Sequence, residues 1–238
     1  MSTAYSGDGI TFPDSTVQAT APKAGMVNRI INGDMRIDQR NGGASVSTSS
    51  GAAAYTLDRF KIDYSQTSKF TLQQNAGSVT PPVGFSNYLG VTSSSAYSVL
   101  AGDYFLLSQA VEGFNTFDLA LGTASAATVT LSFWVRSSLT GAFGGALQNS
   151  AVNRSYPFNY TISVANTWEQ KTITITGDTS GTWIGATNGV GLAVNFNLGM
   201  GSTRTGTANA WAAGNFLAPT GATSVVGTSG ATFYVTGV

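Results

Sequence analysis

The chain has 238 residues, with eleven basic and eleven acidic side chains and neither His nor Cys. The missing residue types exclude disulfides, thiol or imidazole catalysis, and zinc sites that rely on Cys or His. Balanced charge gives no basic field for nucleic acid, and no apolar run approaches the roughly 20 residues of a membrane-spanning helix. We therefore predict no nucleic-acid partner and no membrane insertion.

The first 25 residues differ from the rest, because Gly, Pro, Ser and Thr dominate them. Ile10 and Phe12 lie in one short extended candidate, Val17 lies in another, and a turn that begins at Pro13 separates the two. Such a segment cannot bury enough apolar surface alone. It is either a disordered tail or an attachment arm that pairs with other copies through Ile10, Phe12, Pro13 and Val17.

The next segment carries a turn signal at Asn32, Gly33 and Asp34. Oxygens of Asn32, Asp34 and Asp38 are of the kind that binds calcium. The twelve-residue calcium-loop pattern is absent from the sequence, however, so we interpret these side chains as turn caps. The prediction is no metal and no cofactor.

Alternation of apolar and polar residues predicts strands along the rest of the chain. The strongest candidate is residues 128–136, where Leu131, Phe133 and Val135 share one face. The other candidates are, in chain order, residues 55–64, 69–74, 88–92, 104–111, 156–164, 168–176, 191–198 and 231–238. We expect residues 128–136, 156–164 and 168–176 to form a three-stranded nucleus for the fold.

About ten short strands with turn signals between them, and no amphipathic helix, predict an all-β sandwich. Residues 199–230 are rich in small side chains and too long for a plain hairpin connection. Arg204 is the single charged residue between positions 179 and 238. That surface is either shielded by neighbouring subunits, or in contact with a neutral ligand, or simply a Ser/Thr/Gly-rich sandwich surface.

The sequence shows no sign of catalysis. The serine-hydrolase, metalloprotease and phosphate-loop patterns are all absent. A glycan-cleaving enzyme needs two carboxylates that face one groove. The acidic residues that cluster in the first quarter each have an Arg or Lys close by in sequence and are interpreted as ion-paired: Asp34, Asp38, Asp58 and Asp63. We predict that the protein is not an enzyme.

Aromatic residues in loop-like stretches are the remaining candidates for function. The apolar face of a sugar ring stacks on Trp or Tyr, whereas its hydroxyls need polar partners nearby. Trp183 and Trp211 lie in such stretches, and Arg154 and Tyr156 belong to a third. These four residues are the candidate glycan-binding set, and core packing is the alternative for each.

Long segments of the sequence resemble a known protein family. The run LSQAVEGFNTFDLALGTASAATVTLSFWVRSSLTGAFGGALQNSAVNRSYPFNYTISVANTWEQKTITITGDTSGTW resembles a domain that recurs in bacteriophage tail-fibre and related virion proteins. The flanks RIINGDMRIDQRNGG, YTLDRF and GATFYVTGV agree with that family, and GDGITFPDSTVQAT resembles the collar segment before such domains in trimeric fibres. The resemblance covers nearly the whole chain.

The resemblance implies a jelly-roll sandwich akin to the glycan-binding modules of polysaccharide hydrolases. In those modules an NGDFE-like start can contribute to a structural calcium site, and here Arg36 stands where that Glu would be. The implied organisation is an N-terminal arm of residues 1–25, for attachment and trimerisation, and a jelly-roll head of residues 26–238.

Fold alone does not choose between viral structural proteins and lectins, because jelly rolls serve both. Our interpretation is a homotrimeric fibre or spike of the virion, assembled in the host cytoplasm. Its arm contacts other tail or capsid proteins and its head binds host-surface glycan. The alternative is a capsid decoration protein that stabilises the shell and needs no ligand. A third class, a depolymerase, would shorten polysaccharide, and we expect no such activity.

Overall fold

The computed structural model describes residues 27–49 and 53–238, together with the backbone of three short strands that precede them. Within these residues the strands are, in chain order, β1 (Ala4–Ser6), β2 (Gly9–Thr11), β3 (Val17–Gln18), β4 (Val46–Ser47), β5 (Ala54–Leu57), β6 (Phe60–Tyr64), β7 (Phe70–Gln74), β8 (Leu89–Ser93), β9 (Tyr104–Glu112), β10 (Val129–Ser137), β11 (Gly141–Gln148), β12 (Arg154–Ile162), β13 (Glu169–Ile175), β14 (Val190–Met200), β15 (Thr205–Gly206), β16 (Ala212–Ala213), β17 (Ala218–Pro219) and β18 (Thr232–Thr236). Short 3-10 turns occur at Ala76–Ser78, Gly113–Asn115, Phe117–Leu119 and Ser202–Arg204.

Two large antiparallel sheets form the head. The six-stranded sheet has the order β13-β10-β18-β8-β7-β4, and the seven-stranded sheet has the order β16-β12-β11-β14-β9-β6-β5. The chain crosses between the sheets repeatedly, so strands that are neighbours in sequence often lie in opposite layers. The predicted all-β jelly-roll sandwich is confirmed. None of the helices in the described residues has the length and hydropathy needed to cross a membrane.

An aromatic layer joins the two sheets. Leu131, Phe133 and Val135 of β10 point into the core, as the alternation predicts. The Phe133 ring packs edge-on against Tyr160 and Phe196 of the opposite sheet, with 5.0 Å between ring centroids in each pair. Edge-to-face packing of this kind adds about 0.5–1.5 kcal/mol per pair beyond the burial of area.

Two predictions about the strands are wrong. β12 does not join β10 and β13 in one nucleus, because it lies in the opposite sheet and its apolar side faces β10 across the core. Residues 55–64 form a hairpin, β5 and β6, rather than one strand. The turn between them contains Arg59 with φ of 75°, a left-handed conformation that ends the extended run.

The sequence analysis missed β11, because Gly144 and Gly145 give this segment the composition of a loop. The packing explains both glycines. A Cβ on Gly144 would collide with the Pro219 ring of β17, and a Cβ on Gly145 would collide with the backbone of Asn195 on β14. Close approach of neighbouring backbones therefore requires glycine inside this central strand.

Residues 199–230 fold back over the outer face of the seven-stranded sheet. β16 pairs with the start of β12, while β15 and β17 form a small parallel pair of their own. Leu217 N–H donates to the Arg204 carbonyl at 2.8 Å, and this bond joins the residues that immediately precede β17 and β15. The long connection predicted from sequence is thus an ordered segment that covers part of the outer face of the seven-stranded sheet.

The arm forms a three-stranded antiparallel sheet in which β2 pairs with β1 and β3. Extended backbone at Ile10 and Val17 agrees with the prediction, and Thr11 lies opposite Val17. Phe12 and Pro13 lie outside the described residues, as does the predicted boundary between residues 25 and 26. Pairing of arms from different copies stays a prediction.

Candidate functional site

Four adjacent strands of the seven-stranded sheet turn small and polar side chains away from the core. On β9, Phe105 and Leu107 are buried in the core, so Tyr104, Leu106 and Ser108 lie on the outer face. β6, β11 and β14 place further side chains on that face by the same alternation: Lys61, Asp63, Gln148, Ala193 and Asn195. The four strands lie side by side, so the outer face is one continuous surface.

A groove of about 370 Å3 lies over this surface. The loop between β11 and β12 contributes Asn149, Ser150 and Val152 to its lining. The 199–230 segment contributes Arg204, Asn215 and Leu217. A volume of several hundred cubic ångströms suits a small-molecule or oligomer fragment, and the lining mixes apolar and polar groups as such sites do.

Two amides are held in fixed positions in the groove. Gln148 and Asn195 are each only 3% exposed. Gln148 Nε2 donates to Asn215 Oδ1 at 2.9 Å and to Ser155 Oγ at 3.2 Å, and Asn195 Nδ2 donates to Gln148 Oε1 at 3.2 Å. Within the described part of the chain no donor pairs with Asn195 Oδ1, so this oxygen is available to a ligand hydroxyl.

The charges of the groove are arranged in two ways. Lys61 Nζ contacts Asp63 at 3.0 Å, and Ser108 Oγ donates to the same carboxylate at 2.9 Å. Arg204 instead lies over the Tyr104 ring, with its guanidinium carbon 5.8 Å from the ring centroid. Asp63 is therefore neutralised within the protein, whereas the guanidinium of Arg204 rests on an aromatic face.

A smaller pocket of about 110 Å3 continues along the same face and shares Lys61 and Ala110 with the groove. Arg59 pairs with Glu112 there. The hydrogen bond from Arg59 outweighs burial and holds the pKa of Glu112 below its ordinary value. Glu112 is therefore charged at neutral pH.

The structure brings the four predicted glycan-binding residues together in one cluster, which we call the aromatic cluster. Trp183 and Trp211 meet edge to face at 5.4 Å between ring centroids, and Trp211 meets Tyr156 at 5.2 Å. Trp183 and Trp211 lie in loops as predicted, whereas Arg154 and Tyr156 belong to β12 rather than to a loop. The Tyr156 side chain points into the core, and burial raises its pKa.

Both indole N–H groups and the guanidinium of the aromatic cluster are bonded within the chain. Trp183 Nε1 donates to the Ser180 carbonyl at 3.1 Å, and Trp211 Nε1 donates to the Thr176 carbonyl at 2.6 Å. Arg154 Nε donates to Asp178 at 2.7 Å. The hydrogen bond to Asp178 raises the pKa of Arg154 despite the opposing effect of burial. Glycan binding at these four residues stays a prediction, and their contacts are those of packing.

Asn149 connects the aromatic cluster to the groove. Its side chain is almost fully buried, and Nδ2 donates to the Thr182 carbonyl at 3.0 Å, next to Trp183. Its Oδ1 accepts from the backbone N–H groups of Asn153 and Arg154, both at 3.1 Å. Because Asn149 also lines the groove, the aromatic cluster buttresses one of its loops.

Sequence reasoning missed the groove because its members are scattered between residues 61 and 217. One signal was present in the sequence. Asn195 and Asn197 interrupt the otherwise apolar run GLAVNFNL at alternate positions, which places both amides on the outer face of β14. Buried amides on a half-apolar strand need partners, and such positions mark either a covered surface or a binding surface.

The candidate calcium ligands act as turn caps. Asn32 Oδ1 accepts from Ile37 N–H at 2.9 Å, and Asp38 accepts from the backbone N–H groups of Asn41 and Gly43 at 3.1 and 2.7 Å. Asp34 pairs with Arg36. Within the described residues no three acidic side chains converge as a metal site requires.

Neither a protein-family model nor a curated protein matches this chain. Three solved structures are similar to it in outline. The enzymatically active domain of tailspike protein 4 from bacteriophage CBA120 has 13% identity and a TM-score of 0.44 over 87% of this chain and 21% of that one. A CBM4 structure has 16% identity and a TM-score of 0.37 over 87% and 94% of the two chains. CBM61 in complex with β-1,4-galactotriose has 12% identity and a TM-score of 0.33 over 84% and 94%.

This chain therefore spans about a fifth of the tailspike chain that it matches. Identities and TM-scores this low carry no conclusion about function. Functional inference rests on the groove and on the residues that build it.

Proposed function

We propose that this chain is a bacteriophage virion protein whose head binds carbohydrate in the groove of the seven-stranded sheet. The observation that carries the proposal is the combination of fixed amides with apolar surface in one open groove. Leu106 and Leu217 provide apolar contact for the CH face of a sugar. Gln148 and Asn195 provide hydrogen-bonding groups whose positions are set before the ligand arrives.

The head holds the glycan without cleaving it. Hydrolysis requires one carboxyl group that stays protonated as the general acid and a second that stays charged. Asp63 is bonded to Lys61 and Ser108, and Glu112 is held charged by Arg59. Each carboxylate is bonded to a cation and neither lies in an apolar pocket of the kind that a general acid needs, which supports binding rather than catalysis.

The arm and one end of the head mediate assembly into a homotrimer and contact with other virion proteins. Val27 and Ile31 lie just after the arm and are largely exposed, and Arg29 between them pairs with Asp118. The turns around Asp118 expose two aromatic side chains, Phe114 and Phe117, at 60% and 61%. Exposed aromatic residues near Val27, where the described part of the head begins, support a protein contact at this end.

Glycan binding is tested with the full chain on an array of bacterial surface glycans, followed by titration of any hit. Asn195→Ala removes a groove amide and is expected to weaken binding about three- to tenfold, the effect of one hydrogen bond. Asn197→Ala is the matched control. Asn197 is on the same strand and face and nearly fully buried, but it bonds to the Thr223 carbonyl and Gly199 N–H outside the groove.

If Asn195→Ala and Asn197→Ala weakened glycan binding equally, binding in the groove would be contradicted. Loss of binding only in Trp183→Ala would instead place the glycan at the aromatic cluster. The virion role is tested by deleting residues 1–25, which we expect to abolish incorporation into particles while the head stays folded. Copy number by cryo-EM distinguishes a few fibres from a decoration protein that tiles the whole capsid.

A further inference from the structure

The groove contains an unbalanced positive charge. Two cations, Lys61 and Arg204, and one anion, Asp63, line it, so its formal net charge is 2 − 1 = +1. Asp63 is already paired with Lys61. Arg204 forms no ion pair within the described residues. The excess charge of the groove therefore resides on Arg204.

Arg204 has a fixed backbone. It ends the turn Ser202–Arg204, which hydrogen bonds attach to the corner before β9. Gly201 N–H donates to the Asp103 carbonyl at 2.9 Å, and Thr203 N–H donates to the Ala101 carbonyl at 3.0 Å. The Arg204 carbonyl accepts from Leu217 N–H at 2.8 Å. This turn fixes the point from which the Arg204 side chain extends into the groove.

The Tyr104 ring is the aromatic neighbour of this guanidinium. Its centroid lies 5.8 Å from the guanidinium carbon, within the range of a cation–π contact. Such a contact leaves the N–H donors of Arg204 without an acceptor among the described residues. A guanidinium fork recognises a carboxylate through two parallel hydrogen bonds, which are among the stronger polar contacts in proteins.

We propose that the groove selects an acidic glycan and that Arg204 binds the carboxylate of a uronic-acid-type sugar. This inference rests on the proposed carbohydrate-binding function and names its ligand class. Asn195 Oδ1 accepts from a hydroxyl of the same or the adjacent sugar. The sequence alone left a neutral ligand open for residues 179–238, and the position of Arg204 in the groove favours an acidic one.

The test compares acidic oligosaccharides with their methyl esters, which share the same backbone and hydroxyls but lack the charge. Oligogalacturonate, oligoalginate and hyaluronate fragments are titrated calorimetrically against the full chain. At least one acidic form is expected to bind about ten- to a hundredfold more tightly than its ester. The difference should shrink as salt is raised, because an exposed charge is screened.

Arg204→Gln is expected to abolish the preference for the acid, so that the acid and its ester bind about equally tightly. Arg204→Lys keeps the charge without the fork and should retain part of the preference. Arg136→Gln is the matched control, since Arg136 lies over Tyr234 at 5.4 Å on the outer face of the other sheet. It should bind like the unmodified protein. Thermal melts of all three variants verify that each is folded.

Each outcome separates the two proposals. Tighter binding of the esters, or an equal effect of Arg136→Gln, overturns the acidic-ligand inference and leaves carbohydrate binding intact. If a sulfated oligosaccharide binds as tightly as the carboxylated one, the groove selects negative charge in general, and the specific recognition of a carboxylate is overturned. If neither the acidic nor the neutral glycans bind at millimolar concentration, both this inference and the proposed function fail.

Discussion

The aromatic cluster and the groove lie next to each other, yet they differ in how completely their polar groups are bonded. In the aromatic cluster both indole N–H groups donate to backbone carbonyls and Arg154 is paired with Asp178. In the groove, Arg204 and Asn195 Oδ1 have no partner of this kind within the described residues. The indole N–H groups and the guanidinium of the aromatic cluster are already bonded, whereas Arg204 and Asn195 Oδ1 of the groove are open to a ligand.

The difference teaches that aromatic content alone does not mark a binding site. Half-buried Trp side chains whose N–H groups and ring edges are already in contact contribute mainly to stability. A groove whose fixed polar groups still have bonding capacity contributes mainly to recognition. Substitutions in the aromatic cluster should therefore change the free energy of unfolding, and substitutions in the groove should change ligand affinity.

The largest effect is expected from Arg154→Ala. The Asp178 side chain is 2% exposed and bonded to Arg154, so removal of the guanidinium leaves a buried carboxylate without its cation. Loss of one member of a buried ion pair costs about 3–5 kcal/mol. Urea unfolding at pH 7 measures this change. If the free energy of unfolding fell by less than about 1 kcal/mol, water would have to reach the Arg154–Asp178 pair, which would contradict its burial in the aromatic cluster.

Trp211→Ala should give a smaller loss, about 2 kcal/mol, because the side chain is only half-buried and part of its area already faces water. The melting temperature should fall by several degrees. Trp168→Ala is a control from the other sheet, where Trp168 packs edge-on against Tyr88 at 5.4 Å and donates to the Thr80 carbonyl. We expect similar destabilisation in both variants and unchanged glycan affinity in each.

Loss of glycan affinity in Trp211→Ala alone would contradict the division between the two regions. It would support the interpretation, made from sequence, that these aromatic residues bind sugar directly. The comparison with Trp168→Ala matters because any tryptophan removed from the head perturbs stability, whereas only one that contacts ligand changes affinity at constant fold.

Acid should weaken the corner that carries Arg204. Asp103 is buried there and forms no ion pair within the described residues, and burial alone would raise its pKa. Hydrogen bonds from Leu100 N–H, Tyr97, Ser65 and Gln66 outweigh burial, so the pKa of Asp103 lies below its ordinary value. The unfolded chain then binds this proton more readily than the folded chain does.

The sign of the pH effect follows from that difference. The stabilisation is fully present above the ordinary Asp pKa of 3.8 and is lost as pH falls through the lower folded value. We expect the free energy of unfolding to fall below about pH 4. Asp103→Asn should show a shallower fall, because the amide does not titrate. Parallel curves for the two proteins would assign the acid sensitivity to other carboxylates, such as Glu112 and Asp118.

The sheets could be predicted from sequence far better than the groove. Alternation in residues 128–136 reflects a strand with one face in the core, and that face is where Phe133 lies. The same alternation cannot show which strands pair, so β12 was grouped with β10 and β13 although it lies in the opposite sheet. Alternation also fails to predict a strand where glycine stands in place of an apolar residue, as at Gly144. Glycine is required there because Pro219, 75 residues away in sequence, packs against that position.

The candidate residues show the same limit. Trp183 and Trp211 were found because aromatic side chains in loops stand out in sequence, and the structure brings them together. Arg204 stood out only as an isolated charge. Its significance depends on Tyr104, which is a hundred residues away and becomes its neighbour only when the 199–230 segment folds over the sheet. Long-range pairing of this kind leaves no local pattern.

The smallest effects should come from two matched surface pairs. Lys61 pairs with Asp63 in the groove, and Lys171 pairs with Glu169 on the edge strand of the other sheet, both two residues apart on one strand. Both pairs are only partly exposed but remain in contact with water, and such pairs contribute about 1 kcal/mol or less, so Lys61→Gln and Lys171→Gln should each cost little stability. Only Lys61→Gln removes a charge from the groove, and it should weaken acidic-glycan binding about twofold to fivefold at low salt. If Lys171→Gln weakened binding equally, the effect would come from the overall charge of the head, and binding of the acidic glycan in the groove would be contradicted.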